Sequence, residues 1–363
     1  MRFERRSLLS FDWFWFLAVL ALSGAGLLAI WSTTEGTSLN SYFGRQLIYL
    51  GLAMLAFLIV LYFDYHLYSD YVTLIYAAGI GVLILVLMVG HTIHNNKSWI
   101  KYGAFTFQPS ELVKIFVIVA LAKYYSESDR DHLDLTELIL GGLIVFAPMC
   151  LVVLQGDLGT AVTFLPIYIA LSFMGGIKRK HIVMLLLVVA AAIPVSWMMM
   201  HDYQKGRIET VLNPSHDPRR MGYQTIQSEI AIGSGRLTGK GFKQGSQGHL
   251  GFLPARHTDF VFAVLSEEKG FIGSITILAL LLVICLRLLG AAREAKDKVG
   301  TLVIVGVLAL FLFHIVINVG MVVGLLPIAG IPLPFVSAGG SSLISYFAAM
   351  SLCMNIKMRR YVN

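Results

Sequence analysis

A chain of 363 residues that is 57% hydrophobic and only 13% charged is not an ordinary soluble protein, because soluble domains carry about 25% charged residues. The composition therefore predicts an integral membrane protein whose helices share one bundle. The formal charge of +7 does not indicate nucleic-acid binding, because no basic run with interleaved aromatic residues stands outside the apolar pattern. Basic loops that face anionic lipid account for this charge instead.

Apolar segments long enough, or nearly long enough, to cross a bilayer recur along the whole chain, since a spanning helix takes roughly 17–25 residues. The ten segments are Trp13–Trp31, Leu47–Phe63, Tyr71–Val89, Phe105–Ala122, Leu138–Leu154, Leu158–Met174, Ile182–Met200, Phe271–Leu289, Val299–Val323 and Ser341–Ile356. The first follows a basic start, as a signal peptide would. No small-x-small cleavage site follows it, so we interpret it as the first transmembrane helix.

The distribution of Lys and Arg predicts the orientation. With a cytoplasmic N-terminus, the inner segments carry most of these residues, and the short outer loops carry only Arg45, Lys97 and Lys101. Basic residues favour the cytoplasmic side. Both termini are therefore predicted inside, and a loop of about residues 201–269, between helices seven and eight, is predicted outside. Within it, "GYQTIQSEIAIG" is typical of a short amphipathic helix that ends at Gly233.

Charged residues from three separate hairpins fall at the outer membrane level in this topology. Glu111 and Lys114 have the i,i+3 spacing of one helix face. Asp157 lies in "QGDLGT" between segments five and six, and Asp259 lies in "PARHTDFVFAV" before segment eight. Such a cluster suits a charged, lipid-linked substrate that needs a cation for phosphate and a carboxylate for proton transfer. A structural Glu111–Lys114 ion pair, and helix caps at Asp157 and Asp259, are the alternatives.

The segment "GLLPIAGIPLPFVSAGGSS", about residues 324–340, cannot be a continuous helix because of its prolines and glycines. We predict a re-entrant or surface loop on the same outer side. Irregular backbone at membrane depth is tolerated where it is buried in protein or lines a cavity. The preceding segment carries His314 and Asn318, four residues apart, which we interpret as hydrogen-bonding groups toward a neighbouring helix.

Four ordered motifs resemble the SEDS family (shape, elongation, division and sporulation). They are "FQPSELVK" at 107–114, "QGDLGT" at 155–160, "PARHTDFVFAVLSEEKG" at 254–270 and "NVGMVVGLLPIAGIPLPFVSAGGSS" at 318–342. The helix count and the large outer loop match as well, so the resemblance covers nearly the whole chain. Two positions depart from the family pattern. Gly156 stands where the family usually has Pro, which predicts a looser turn before Asp157, and Ser98 stands where the family often has Arg.

The resemblance implies an all-α bundle of about ten transmembrane helices, one polytopic domain over residues 1–363, in the bacterial cytoplasmic (inner) membrane. It implies a peptidoglycan glycosyltransferase of cell elongation that polymerises lipid II and releases undecaprenyl pyrophosphate. Asp259 is then the catalytic base. The predicted substrate-binding residues are Lys114, Glu111, Asp157, Arg256, His257 and Ser337.

The implied cofactor is at most a divalent cation, Mg²⁺ or Mn²⁺, at an unknown site, with no nucleotide. The implied partners are a class B penicillin-binding protein and other proteins of the elongation complex. A lipid II flippase and a non-catalytic scaffold for a transpeptidase are the alternatives. A flippase predicts charges on both sides of a central path and often internal repeats, whereas the charges here lie on one side and no repeat is visible.

Overall fold

The computed structural model describes residues 11–34, 38, 41–93, 96–103, 105–128, 132–184, 187, 198, 205–206, 221–249 and 251–361. Within these ranges, six helices are long and apolar enough to cross a membrane, and Leu158–Met174 forms shorter apolar helices. The chain is therefore a predominantly helical, multi-pass membrane protein, as predicted. The predicted seventh segment, Ile182–Met200, and the first part of the predicted outer loop fall largely outside the described residues.

Thirteen α-helices lie wholly within the described residues. They are α1 (Trp13–Thr33), α2 (Tyr42–Tyr62), α3 (Tyr65–Asp70), α4 (Val72–Val89), α5 (Pro109–Ser126), α6 (Leu135–Leu154), α7 (Leu158–Val162), α8 (Phe164–Met174), α9 (Met221–Ser234), α10 (Ser246–His249), α11 (Val261–Glu294), α12 (Lys298–Val322) and α13 (Gly340–Met358). A 3-10 turn, Arg359–Tyr361, follows α13. The amphipathic helix predicted before Gly233 is α9.

The fourth predicted segment begins too early. Phe105–Phe107 is strand β3, and α5 begins only at Pro109. Proline is favoured in the first helical turn, where its missing N–H has no intrahelical acceptor to lose, and Gln108 before it is extended. Strand β3 pairs with β2 (Asn96–Tyr102), which pairs in turn with β1 (His91–Ile93), both antiparallel. The fold therefore contains a small sheet that the hydropathy pattern does not predict.

The eighth predicted segment, in contrast, begins too late. Helix α11 starts ten residues before Phe271, at Val261, and its backbone departs from helical geometry at Gly270, with φ of 65° and ψ of −161°. Charged residues in the part before the kink excluded it from an apolar segment, but Glu267 and Glu268 are buried there among hydrogen-bond donors. Glu267 accepts from Lys240 Nζ (2.7 Å) and from the backbone amides of residues 247 and 248.

Residues 323–339, between α12 and α13, form neither helix nor strand, and 331–338 are mostly buried. A Cβ added at Gly26 of α1 would lie 2.4 Å from the Val336 carbonyl oxygen, so the two backbones touch. Gly26 lies seven residues before Thr33, the last residue of α1, which is about 10 Å along the helix axis at 1.5 Å per residue. The loop thus enters the bundle. Phe335, at φ 65°, packs its ring 5.4 Å from that of Phe311.

The opposite end of the bundle is closed by ion pairs between helix termini. Asp12, before α1, contacts Arg287 of α11 (3.3 Å) and Lys357 of α13 (2.7 Å). Arg359, after α13, contacts Asp64 (2.6 Å), which precedes α3. These pairs gather basic side chains at the end of the molecule away from the 323–339 loop.

Candidate active site

Asp259 lies in the turn that leads into α11. The backbone amides of Thr258 and Asp259 both donate to the Ala255 carbonyl oxygen (3.1 Å each), and Ala255 has the uncommon φ of 54°. The N-cap of α11 is Phe260, so Asp259, which the sequence offered as a helix cap, lies one residue before the N-cap position. Its side chain is partly exposed. The turn therefore presents a carboxylate at the surface on a tightly bonded backbone.

Three consecutive carbonyl groups of this turn accept hydrogen bonds from the 323–339 loop or from α12. The pairs are Ala338 N to His257 O (2.8 Å), Ser337 Oγ to Thr258 O (2.6 Å) and Asn318 Nδ2 to Asp259 O (3.1 Å). Ser337 Oγ also accepts from the Leu333 amide (2.9 Å). The Ser337 hydroxyl thus holds the loop and the turn together, and its predicted contact with substrate stays a prediction.

The carboxylate of Asp259 lies beside the 323–339 loop. A Cβ added at Gly330 would be 3.9 Å from Asp259 Oδ2, and Gly330 has a φ of 67° that favours glycine. A Cβ added at Gly159 of α7 would lie 2.2 Å from the carbonyl oxygen of the neighbouring Ala329. The start of α7 and the Asp259 carboxylate therefore flank the same bend of the loop.

Asp157 caps α7, which is the structural alternative that the sequence left open. Its Oδ1 accepts from the Thr160 amide (3.1 Å) and its Oδ2 from the Thr160 hydroxyl (2.9 Å). Gln108 Nε2, at the start of α5, donates to the same Oδ2. Both oxygens are thus engaged in joining α5 to α7, so Asp157 shapes the site through the elements that it holds.

The turn before Asp157 is closed by two backbone hydrogen bonds. Gly156 has a φ of 85°, its amide donates to the Val153 carbonyl (2.9 Å), and the Asp157 amide donates to the Val152 carbonyl (3.2 Å). This pair of bonds is the Schellman motif, in which glycine ends a helix in the left-handed region. Proline, whose φ is fixed near −65°, could not adopt this conformation.

Lys114 and Glu111 form a buried ion pair. Lys114 Nζ lies 2.8 Å from Glu111 Oε1, and the two side chains are 1% and 5% exposed. Helix α5, which carries the pair, packs against α12 and α13. The pair therefore lies inside the helix bundle, and Lys114 does not present its ammonium group to the surface in this conformation.

His257 and Arg256 precede Asp259 in the turn. His257 Nδ1 lies 2.9 Å from the Thr33 hydroxyl, and its ring stacks on Tyr42 with centroids 4.5 Å apart. Burial, with the charge of Arg256, lowers the pKa of His257 to about 4. The imidazole is therefore neutral near pH 7 and cannot offset phosphate charge. Arg256 Nη1 donates to the Gly248 carbonyl (2.8 Å), which orients the guanidinium.

His314 and Asn318 bind the loop rather than a neighbouring helix alone. His314 Nδ1 lies 3.4 Å from the Pro332 carbonyl oxygen and 2.6 Å from the Tyr346 hydroxyl. Asn318 Nδ2 donates to the Ile331 carbonyl (2.8 Å) and to Asp259 O. The sequence missed Asn318 as a site residue. Two signals for it are its i,i+4 spacing from His314, which places both on the loop-facing side of α12, and its position as the first residue of the motif at 318–342.

The segment between α4 and α5, which holds Lys97 and Ser98, contributes its backbone. The Lys97 amide donates to the Gln155 carbonyl (2.8 Å), which sets β2 beside the end of α6. The Lys97 ammonium donates to the Met88 carbonyl (2.9 Å). Ser98, where the family often has Arg, is fully buried. Neither side chain is joined to Asp259 by the contacts of the described residues.

The chain is similar to known proteins over nearly its whole length. The family model described as "Cell cycle protein" (FtsW, RodA, SpoVE) matches residues 8–362. A peptidoglycan glycosyltransferase RodA of Treponema pallidum (strain Nichols) is 33% identical, with 98% of this chain and 99% of that protein covered. A peptidoglycan glycosyltransferase MrdB of Escherichia coli (strain K12) is 35% identical, with 95% and 92% covered.

Two solved structures share the fold. One, described under "Structural coordination of polymerization and crosslinking by a peptidoglycan synthase complex", gives a TM-score of 0.83 at 28% identity, with 97% of this chain and 99% of that chain covered. The other is the rod shape determining protein RodA of Thermus thermophilus, with a TM-score of 0.73 at 27% identity and 97% and 98% covered. The chain therefore belongs to the FtsW/RodA/SpoVE family, the SEDS family that its four motifs resemble.

Proposed function

We propose that this protein is a peptidoglycan glycosyltransferase that polymerises lipid II into glycan strands during cell elongation and maintenance of rod shape. The observation that carries the proposal is the placement of Asp259. Its carboxylate lies beside Gly330, an exposed residue of the 323–339 loop, and its backbone carbonyl is bonded to Asn318. A partly exposed carboxylate held on a fixed backbone suits general-base catalysis, which depends on the position of the base as well as its protonation state.

In the proposed reaction, Asp259 accepts the proton of the 4-hydroxyl of the acceptor sugar. The freed oxygen attacks the anomeric carbon of the donor chain, and the bond from that carbon to the lipid pyrophosphate breaks with inversion. Undecaprenyl pyrophosphate leaves with the electron pair of that bond. Arg256, whose guanidinium is oriented at the edge of the same turn, supports the leaving group electrostatically. No nucleotide is consumed, because the pyrophosphate is itself the leaving group.

Lys114 and Glu111 form an ion pair inside the helix bundle. A phosphate contact by Lys114 would require the buried pair to open, and this role stays a prediction. A divalent cation, Mg²⁺ or Mn²⁺, also stays a prediction. In the described ranges no group of three His, Cys, Asp or Glu side chains could hold a metal ion, and both Asp157 oxygens are occupied. No step of the proposed reaction passes through a metal.

The proposed orientation places the Asp259 end of the bundle outside the bacterial cytoplasmic membrane. The basic side chains at the opposite end, among them Arg287, Lys357 and Arg359, support a cytoplasmic position for that end. This orientation, with about ten spans, both termini inside and the loop of about 201–269 outside, brings the carboxylate to the face where lipid II is polymerised.

The proposed partners are a class B penicillin-binding protein, which crosslinks the strands, and other proteins of the elongation complex. Support comes from the structural neighbour described as part of a peptidoglycan synthase complex that coordinates polymerisation and crosslinking. A polymerase that feeds a transpeptidase needs the two active sites on the same side of the membrane, and the orientation above provides this.

One experiment separates the polymerase from a flippase and from a scaffold. The protein is purified with its class B penicillin-binding protein and given lipid II, and wild type is compared with Asp259→Ala. We expect glycan strands from the wild type only. Lipid II transbilayer movement in vesicles without any polymer would identify a flippase. A complex in which neither polymer nor movement depends on this chain would identify a scaffold.

A further inference from the structure

Asn318 is a fully buried amide on α12 that joins two segments of the site. Its Nδ2 donates to the Asp259 carbonyl (3.1 Å) and to the Ile331 carbonyl (2.8 Å). Only the NH₂ end of an amide can donate to two carbonyl oxygens, so these acceptors fix its orientation. This side chain therefore helps to set the distance between the turn that carries Asp259 and the loop just after Gly330, together with the bonds that Ser337 and Ala338 make to the same turn.

This distance determines the surroundings of the Asp259 carboxylate. Gly330 is the residue beside which the carboxylate lies, 3.9 Å from the position of an added Cβ, and Ile331 is the next residue along the chain. The base and the wall beside it are therefore both attached to the same amide. The residue is not placed to touch a sugar or a phosphate, because it is fully buried and its two donor hydrogens face protein carbonyls.

We propose that Asn318 is a positioning residue for the base: it holds the Asp259 backbone and the 331 carbonyl in the arrangement in which the carboxylate reaches the acceptor hydroxyl. The inference rests on the proposed function. A base displaced by about 1 Å costs roughly 100-fold in rate, whereas substrate binding by other residues is unaffected. Loss of Asn318 should therefore lower kcat and leave KM for lipid II nearly unchanged.

The chain provides a matched control. Asn355 of α13 is 1% exposed, and its Nδ2 donates to three carbonyls at the end of α2, those of Val60 (3.2 Å), Leu61 (2.8 Å) and Phe63 (2.6 Å). It is the same kind of buried clamp, but it acts on the C-terminal end of α2, at the end of the bundle away from Asp259. Replacing either asparagine by leucine removes an amide of similar size and takes away the donor that its partner carbonyls share.

The experiment compares lipid II polymerisation by wild type, Asn318→Leu, Asn318→Ser and Asn355→Leu, each purified and assayed well below its measured melting temperature. We expect kcat to fall about 100-fold for Asn318→Leu, with KM within about threefold of wild type because no substrate contact is removed. Asn318→Ser, with a single hydroxyl donor that can serve one of the two carbonyls, should fall between. Asn355→Leu should melt earlier and keep the wild-type kcat.

Equal kcat values for the Asn318 and Asn355 variants would overturn the inference, and so would a rise in KM with kcat unchanged. If Asn318→Leu does not fold, the serine variant decides by the same criterion. If the wild type is active and the Asn318 variants have the wild-type kcat, only the positioning role is refuted. A wild type that makes no polymer refutes the proposed function itself.

Discussion

The contribution of the buried Glu111–Lys114 ion pair to the stability of the protein can be tested quantitatively. The two charges are 2.8 Å apart and almost fully buried, so removing one leaves the other without a counterion in a medium of low dielectric. Breaking such a pair costs about 3–5 kcal/mol, whereas replacing both partners by uncharged residues is often neutral. Lys114→Met and Glu111→Gln should each destabilise the protein by that amount, and the double variant should be close to wild type.

Independent effects would instead add to about 6–10 kcal/mol in the double variant. The assay is thermal unfolding of the detergent-purified variants, followed by the loss of the monodisperse species on size-exclusion chromatography. A double variant that is less stable than either single variant would refute the reasoning. Polymerisation by the folded double variant then separates the two interpretations of Lys114. A phosphate contact requires that it stay inactive, and a structural pair requires that it recover.

Three further predictions concern the loop and the turn. Gly26→Ala places a Cβ 2.4 Å from the Val336 carbonyl oxygen and should destabilise the protein by about 1–3 kcal/mol by overpacking. Gly24→Ala on the same helix, where an added Cβ has nothing within 4 Å, should leave the stability unchanged. Equal melting temperatures of the two variants would contradict the close approach of the loop to α1. The pKa of His257 falls from 6.5 to about 4 on folding. The stability that its neutral form contributes is complete above pH 6.5 and is lost as the pH falls toward 4. The melting temperature of His257→Gln should therefore depend less on pH in this range than that of the wild type, and an unchanged dependence would contradict the shift. Glu267→Gln, which removes the charge that accepts from a lysine and two backbone amides, should expose the 240–249 segment to limited proteolysis, and a wild-type digestion pattern would show that these bonds do not hold it.

The sequence predicts the helices well where apolar length alone decides. It fails where a local signal competes with hydropathy. Pro109 starts α5 and leaves Phe105–Phe107 to a strand. The predicted eighth segment leaves out the charged residues before Phe271, yet Glu267 lies buried within α11, where donors from residues 240–248 compensate its carboxylate. Those donors come from a segment with no periodicity of its own, so hydropathy could not indicate them.

For the candidate site, too, the sequence predicts one part and misses another. The motifs bring Asp259, Asp157 and the 323–339 loop to one end of the bundle. The contacts that fix them join residues far apart in the chain, such as Asn318 with Asp259 and Gln108 with Asp157. No spacing rule in a single sequence predicts these pairs. The burial of Lys114 was likewise open, because an i,i+3 pair has the same pattern in an exposed and in a buried helix face.

The most direct test of the central claim is the turnover of lipid II by Asp259→Asn. The substitution keeps the size of the side chain and removes the base, so a folded variant should bind lipid II. Release of undecaprenyl pyrophosphate, measured at saturating lipid II beside the wild type, should fall by about 10²–10⁴-fold, the usual contribution of a general base. A folded Asp259→Asn protein that releases undecaprenyl pyrophosphate at the wild-type rate would contradict the account.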